Sequence, residues 1–239
     1  RGGLHAFHPG CSQSQPSPRL MNGLGPLHRV GPPSARQGLW LHGFLGSGTE
    51  GHRLFADWPE PRQWLCPDLP GHGERPQTPL DLGDTLEAIA DLAAGCDCAA
   101  GYSLGGRLLM MAAARYPSAF SRLIVESASL GSADPEARAR RRQLDAARVD
   151  DLRRRGLQAF CVDWYALPMW AGLTSPPVRT GHAEHLADAL QVFSQGNQPD
   201  LLPWLSLAPQ RILWLAGAED TAYVLQAETV RRRAHRVQI

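Results

Sequence analysis

The chain has 239 residues, of which 43% are hydrophobic, and this length and composition suit one α/β domain with an inserted cap. Its formal net charge of +1 argues against a polyanionic partner such as nucleic acid, and no apolar run is long enough to span a membrane. All 24 basic residues are arginine, which excludes a Schiff-base lysine. The five cysteines form neither a disulfide framework nor a zinc motif, so we expect a soluble protein of a reducing compartment, the cytoplasm.

Residues 1–37 are rich in Gly, Pro, Ser, Gln and Arg and contain no acidic residue. This composition predicts a poorly ordered N-terminal extension, with a misplaced start upstream of Met21 or a transit-like leader as the alternatives. We expect residues 38–128 and 208–239 to form the folded core and residues 129–207 to form a helical lid.

Two short apolar strands in the first half of the predicted core lead into glycine-rich turns. The first strand, residues 38–41, ends in the run His-Gly-Phe-Leu-Gly-Ser over residues 42–47. The second, residues 63–66, is followed by Asp-Leu-Pro-Gly-His-Gly over residues 68–73. The next predicted element is a helix that is capped by Asp84 and extends to about Ala94.

The run Gly-Tyr-Ser-Leu-Gly-Gly-Arg at residues 101–107 lies between a small apolar strand and a strongly helical stretch. A Gly-x-Ser-x-Gly motif at a strand-to-helix turn is typical of a nucleophile elbow, because the glycines permit the tight turn that exposes the serine hydroxyl. Ser103 is therefore the candidate nucleophile, and the backbone N–H of Leu104 is placed to hold an oxyanion. The alternative interpretation is a structural turn.

This order of strands and turns resembles the α/β-hydrolases. The resemblance implies that the His-Gly loop supplies a second oxyanion-hole amide, here that of Phe44, whereas His72 shapes the wall of the site. The alternative for residues 42–47 is an ordinary glycine-rich loop.

Between residues 129 and 207 the alternation of short strands and helices stops, which predicts a helical insertion after the strand at residues 122–126. Asp134 and Pro135 start an arginine-rich helix, a second helix begins near Asp150, and another spans residues 183–193. In α/β-hydrolases a lid over the serine is inserted at this point.

The predicted strand at residues 211–216 returns the chain to the sheet, and Asp220 follows it where the acid of a Ser-Asp-His triad belongs. The histidine is expected after the last strand, but His235 lies at the start of that strand. We therefore expect the base to lie beyond Ile239, and the chain as written to be inactive or nearly so.

Arg107 lies one helical turn after Ser103, where most hydrolases have a small or apolar residue. A buried guanidinium is costly without a partner, and it suits a carboxylate ligand held by two hydrogen bonds. The alternative is that Arg107 points outward into solvent.

With these motifs together, the sequence resembles the 2-succinyl-6-hydroxy-2,4-cyclohexadiene-1-carboxylate synthases of menaquinone and phylloquinone biosynthesis. The resemblance covers residues 38–239. Besides the three glycine-rich runs it includes Glu-Ser-Ala at residues 126–128, the arginines around Arg141, Trp-Tyr-x-x-Pro at residues 164–168 and Gln-Pro-Asp-Leu at residues 198–201. It implies an α/β-hydrolase fold with a mostly parallel central sheet and a lid inserted after the strand that follows the elbow.

Such enzymes are lyases that eliminate pyruvate from a 5-enolpyruvoyl precursor, without a metal or organic cofactor. The resemblance implies a small-molecule polycarboxylate substrate and assigns roles to particular residues. Ser103, activated by Asp220 and a histidine, starts the proton abstraction, and the amides of Phe44 and Leu104 hold negative charge. Arg107, Arg141 and Arg179 bind the carboxylates, while Tyr102 and Trp164 line the pocket.

Two other functions fit the same motifs. One is a serine carboxylesterase or thioesterase, which would form an acyl-serine intermediate. The other is a non-catalytic relative that only binds a carboxylate ligand. Turnover of esters would favour the first, and the lack of any histidine after the last strand of the full gene would favour the second.

Overall fold

A seven-stranded sheet runs through the computed structural model, which describes residues 24–73, 80–234 and 237–239. The strand order is β1-β3-β2-β4-β5-β6-β7, with β1 antiparallel to β3 and each other neighbouring pair parallel. The predicted mostly parallel sheet is therefore confirmed. The strands are β1 Leu27–Val30, β2 Gln37–Leu41, β3 Gln63–Pro67, β4 Cys98–Tyr102, β5 Arg122–Glu126, β6 Arg211–Leu215 and β7 Val237–Gln238.

Strand β1 was not predicted, and it corrects the boundary of the N-terminal extension. Its four residues pair with β3 from Leu27 opposite Pro67 to Val30 opposite Trp64, and Leu24 and Val30 are buried. The prediction of a poorly ordered extension is wrong for residues 24–37, because pairing with a distant strand outweighs their local composition. Residues 1–23 lie outside the described residues.

The helices of the described chain lie between the strands and in the predicted lid. They are α1 Gly51–Leu54, α2 Leu82–Ala93, α3 Leu104–Arg115, α4 Pro135–Tyr165, α5 Ala183–Val192, α6 Leu202–Leu207 and α7 Thr221–Arg233. Helix α2 is capped by Asp81, whose side chain accepts a hydrogen bond from the Asp84 amide at 2.9 Å. The prediction of Asp84 as the cap is wrong by one turn, because Asp84 lies in the first turn of the helix.

The first lid helix is longer than predicted and has a kink. Helix α4 starts at Pro135, and the Asp134 side chain accepts a hydrogen bond from the amide of Glu136, as the sequence indicates. The break between its two parts lies at Gly156, at φ 77°, and not near Asp150. A positive φ suits glycine, which has no Cβ, so the break falls where the sequence permits it.

The buried side chains divide between the sheet and the lid. Helices α2 and α3 cover one face of the sheet around Leu39, Leu108 and Leu109. A separate cluster joins α4 and α5 to Leu45. Helix α6, although it lies within residues 129–207, packs into the main core through Leu205. None of the described helices has the length and apolar character needed to cross a bilayer.

Candidate active site

The turn between β4 and α3 has the geometry of a nucleophile elbow. Ser103 has φ 50° and ψ −108°, a strained backbone conformation for a residue with a side chain. A Cβ at Gly101 would lie 2.7 Å from the backbone of Gly105, and one at Gly105 would collide with the carbonyl oxygen of Leu41. The glycines of the motif are therefore required by close backbone contact, and the Ser103 amide donates to the Glu126 carbonyl at 2.9 Å.

The loop after β2 packs directly on this elbow. A Cβ at Gly43 would lie 2.8 Å from the ring of Tyr102 and 3.6 Å from the Cβ of Ser103. The amides of Phe44 and Leu104 donate to no acceptor in residues 24–73, 80–234 and 237–239. Two free N–H groups thus lie on the two segments that meet at the serine, an arrangement suited to holding a negative oxygen.

His42 fastens this loop and is not free to act as a base. Its Nδ1 lies 2.8 Å from the Gly43 carbonyl and its Nε2 accepts from the Leu69 amide at 2.9 Å. Burial, reinforced by the neighbouring His72, holds the pKa of His42 well below its ordinary value, so the ring is neutral. The His42 carbonyl also accepts from the Gly105 amide at 3.0 Å, which joins the loop to the elbow.

His72 is a second buried imidazole beside the loop. Its ring centroid lies 5.1 Å from that of His42 and 5.6 Å from that of Phe44, and its Nδ1 lies 3.0 Å from the Pro70 carbonyl. Burial lowers the pKa of His72 to about 4. The residue forms part of the wall of the site, in line with the sequence interpretation.

Asp220 lies at the carboxyl end of β6, at the edge of the sheet where Ser103 also lies. It is the N-cap of α7, and its Oδ1 accepts from the Tyr223 amide at 3.3 Å. Within the described chain no histidine forms a hydrogen bond or ion pair with Asp220 or with the Ser103 hydroxyl. His235 lies outside the described residues.

Arg107 is buried, with only 7% of its surface exposed, so the interpretation that it points into solvent is wrong. Its guanidinium donates to the Phe193 carbonyl at 2.9 Å and to Gln198 Oε1 at 3.4 Å. Burial and the charge of Arg141 lower the pKa of Arg107 to about 10. No described carboxylate lies within 4.0 Å of this guanidinium, so its charge has no counter-ion in this part of the chain.

Arg141 reaches the same region from α4. Its Nε lies 3.0 Å from both carboxylate oxygens of Asp145, and its Nη1 donates to Gln195 Oε1. Arg148 also donates to Asp145, at 3.2 Å, and its guanidinium lies 5.1 Å from the ring centroid of Trp164. The sequence interpretation missed Asp145 and Arg148, although the i, i+4 and i+7 spacing from Arg141 along one helix was a signal for them.

Arg179 lies apart from the other two predicted arginines. Its Nε donates to the Tyr165 hydroxyl at 2.6 Å, and its Nη1 forms an ion pair with Glu50. Its positive charge contributes to the lowered pKa of His72, after the larger effect of burial. The structure therefore brings Arg107 and Arg141 together and places Arg179 near the His42–His72 side with a carboxylate of its own.

Aromatic side chains contact arginines of both regions: the Arg148 guanidinium lies over the Trp164 ring, and the Arg179 guanidinium lies over the Tyr165 ring. The ring of Trp164 lies 5.4 Å from that of Phe44, which connects the lid helix to the loop. Burial raises the pKa of Tyr102 to about 12. Burial also raises the pKa of Tyr223, against the charges of Arg107 and Arg141, which lower it. Tyr223 was missed by the sequence interpretation, and its place three residues after Asp220 was the available signal.

The described residues contain no group of three or more His, Cys, Asp or Glu side chains arranged to hold a metal ion. The site is instead a serine on a strained turn with two free amides beside it, and guanidiniums on the lid side. This arrangement can bind an anion and stabilise negative charge next to a hydroxyl.

Comparisons with known proteins identify the family to which this chain belongs. Residues 38–239 match the model of a family described as "Alpha/beta hydrolase family". A relative from Salmonella heidelberg, "2-succinyl-6-hydroxy-2,4-cyclohexadiene-1-carboxylate synthase", is 32% identical over 87% of each chain. A relative of the same name from Serratia proteamaculans is 32% identical over 76% of each chain.

Solved structures show the same fold. "MenH from S. aureus" superposes with a TM-score of 0.80 at 24% identity, over 89% of this chain and 86% of that one. A thermophilic esterase from Thermogutta terrifontis superposes with a TM-score of 0.72 at 19% identity, over 89% and 82%. At these identities the structures establish the fold alone.

Proposed function

Because this chain belongs to the α/β-hydrolase family, and within it to the 2-succinyl-6-hydroxy-2,4-cyclohexadiene-1-carboxylate synthases, we propose that it is a carbon–oxygen lyase. Its substrate is 2-succinyl-5-enolpyruvoyl-6-hydroxy-3-cyclohexene-1-carboxylate, and its products are 2-succinyl-6-hydroxy-2,4-cyclohexadiene-1-carboxylate and pyruvate. We place this reaction in menaquinone or phylloquinone biosynthesis in the cytoplasm. The buried guanidinium of Arg107, with no carboxylate counter-ion among the described residues, supports this function best.

In the proposed reaction Ser103 takes a proton from a ring carbon of the substrate. The electron pair of that C–H bond forms a new ring double bond, and the C–O bond to the enolpyruvoyl group breaks. The enolate of pyruvate leaves with the electron pair of that C–O bond, and it takes up a proton at its methylene carbon to become pyruvate. A histidine held by Asp220 keeps the serine in its reactive form, as in a Ser-His-Asp triad.

The free amides of Phe44 and Leu104 hold the negative charge that develops during this step. Leu104 is the first residue of α3, so its N–H also lies at the positive end of the helix dipole. Fixed donors of this kind stabilise the transition state without reorganisation, and one of them is worth about 3 kcal/mol in related chemistry.

The substrate's carboxylates occupy the positive regions on the lid side. Arg107 of α3 and Arg141 of α4 bind them beside residues 193–198, to which both arginines donate hydrogen bonds. Arg179 contributes from the side of His42 and His72, where Glu50 already offsets its charge. Tyr102 and Trp164 line the space between. A guanidinium binds a planar carboxylate with two parallel hydrogen bonds, so several arginines suit a substrate with several carboxylates.

A serine carboxylesterase or thioesterase is the second candidate. The elbow and its two amides would serve ester hydrolysis equally well, and an esterase shares the fold. A non-catalytic relative that only binds a carboxylate is the third.

Pyruvate release separates these functions when the full-length protein is assayed with the enolpyruvoyl substrate and NADH-coupled lactate dehydrogenase. We expect turnover by the wild type, and a loss in kcat of at least about 10³-fold for Ser103→Ala. Ser206→Ala, an exposed serine on α6, is the matched control and should retain full activity. An acyl-serine burst on p-nitrophenyl esters without pyruvate would establish the esterase, and no turnover of either substrate would establish the non-catalytic relative.

A further inference from the structure

The segment at residues 193–198 connects the lid to the core through charged groups. The Phe193 carbonyl and Gln198 Oε1 accept hydrogen bonds from Arg107 of α3. Gln195 Oε1 accepts from Arg141 of α4, and the Gly196 carbonyl accepts from Arg142 at 2.8 Å. Arginines of α3 and of α4 therefore donate hydrogen bonds to the same short segment, residues 193–198.

Asp145 is the carboxylate at the centre of this connection. Only 1% of its surface is exposed. Its two oxygens accept from Arg141 Nε at 3.0 Å, from Arg148 Nη1 at 3.2 Å and from Ser194 Oγ at 2.7 Å. A buried carboxylate with these bonds fixes the directions of both guanidiniums, because each guanidinium donates at least one of its N–H groups to it.

The positive charge here exceeds the negative charge of Asp145. Burial and the charge of Arg141 lower the pKa of both Arg107 and Arg148, so Arg141 lies close enough to repel each of the other two guanidiniums. Among the residues that the structure describes, Asp145 is the one carboxylate that forms an ion pair with Arg141 or Arg148.

Some donors of these arginines are free for a ligand. Nη2 of Arg141 has no acceptor in the described part of the chain, and the same is true of Nε and Nη2 of Arg148. The Arg148 guanidinium also lies over the Trp164 ring, which packs on Phe44 beside the elbow. The Arg148 guanidinium is therefore connected to the oxyanion loop through the Trp164 ring.

We propose that Asp145 is a positioning residue for substrate binding. Its carboxylate holds Arg141 toward Arg107 and holds Arg148 against Trp164, so that their free N–H groups receive the carboxylates of the substrate. Asp145 itself touches no substrate atom. This inference rests on the proposed function, because it assigns how the carboxylate subsite of that reaction is oriented.

Asp145→Asn is the sharpest test in the full-length enzyme, since the amide keeps the size of the side chain and removes its charge. We expect KM for the enolpyruvoyl substrate to rise by about 10-fold or more, with kcat changed less than about 3-fold, because charge-assisted bonds orient the binding groups and not the serine. Asp145→Glu restores the charge and should recover part of the lost affinity.

Two matched variants separate positioning from stability. Asp151→Asn removes another α4 carboxylate, which pairs with Arg154 and Arg155, and it should leave KM within about twofold of the wild type. Ser194→Ala removes one hydrogen bond from Asp145 without changing the charge. We expect this variant to have a lower Tm and a nearly unchanged KM. If Asp145→Asn lowers Tm but leaves KM within twofold, Asp145 is only structural and the proposal is overturned.

Succinate binding tests the positioning role of Asp145 separately from the proposed lyase function. If the wild type releases no pyruvate, the rise in Tm caused by succinate still measures carboxylate binding at the arginines. We expect Asp145→Asn to lose most of that rise and Asp151→Asn to keep it. Equal rises in the two variants, or no rise in the wild type under those conditions, overturn the positioning role.

Discussion

The two sides of the site are built from different kinds of interaction. On the core side, residues 42–46 and 101–106 are held by backbone hydrogen bonds and by contacts that leave no room for a Cβ, as between Gly105 and Leu41. On the lid side, arginine side chains are held by Asp145 and by residues 193–198. The difference indicates that the core side should be sensitive to added volume, whereas the lid side should be sensitive to the balance of charge.

Adding one methyl group on the core side should have the largest effect. A Cβ at Gly105 would collide with the Leu41 carbonyl and lie 2.6 Å from the His42 carbonyl oxygen, neither of which is the end of a flexible side chain. We expect Gly105→Ala to destabilise the fold by about 3 kcal/mol or to prevent folding. The measurement is the free energy of unfolding in urea.

Gly217→Ala is the control for this experiment. A Cβ at Gly217 would meet no atom within 4 Å, so the change in unfolding free energy should stay within about 0.5 kcal/mol. If Gly105→Ala is as stable as Gly217→Ala, close backbone contact does not build the core side.

Removing a charge on the lid side should affect activity more than stability. Arg107→Met replaces a buried guanidinium that has no described counter-ion with an apolar side chain of similar volume. The free energy saved by not burying a charge should offset the hydrogen bonds that are lost. We expect the unfolding free energy to change by less than about 1 kcal/mol. Pyruvate release, measured as kcat/KM, should fall by about 100-fold because a carboxylate loses its partner.

Arg115→Met, in the last turn of the same helix, provides the comparison. Arg115 is exposed and lies against the Tyr116 ring, so its loss should leave kcat/KM within about twofold. Wild-type turnover by Arg107→Met would remove the main support for a carboxylate-binding site.

The same division explains what the sequence could predict. Ser103, Leu104 and the loop containing Phe44 were found from a few consecutive residues, because an elbow is fixed by local glycine and serine geometry. The role of Arg107 as a buried cation followed from its place one turn after the serine, although no short run of sequence showed that Phe193 and Gln198 would be its partners.

Other features depend on pairs that are distant in sequence. Ser194 is 49 residues from Asp145, and β1 forms only through pairing with β3, so neither could be found from local pattern. Asp81 and Asp84 both suit a helix start, and the prediction placed the cap at Asp84, one turn too late. Prediction was therefore good where the backbone turns locally and poor where side chains join separate segments.

The core side should also respond to pH, through its buried imidazoles. The pKa of His72 is about 4 in the folded protein, below that of an unfolded histidine, so the unfolded state binds the proton more readily. Stability is then fully present above about pH 6.5 and is lost as the pH falls toward about 4, by roughly 2 kcal/mol at pH 5 for this one residue. His42, with its pKa lowered in the same direction, adds to the loss.

The unfolding free energies at pH 7 and pH 5 measure this loss of stability. His72→Gln should reduce the difference between the two pH values, whereas His52→Gln, at an exposed position, should not. Equal pH dependence in both variants would mean that the buried imidazoles are not held neutral by the core, and that the loop is fixed by its backbone contacts alone.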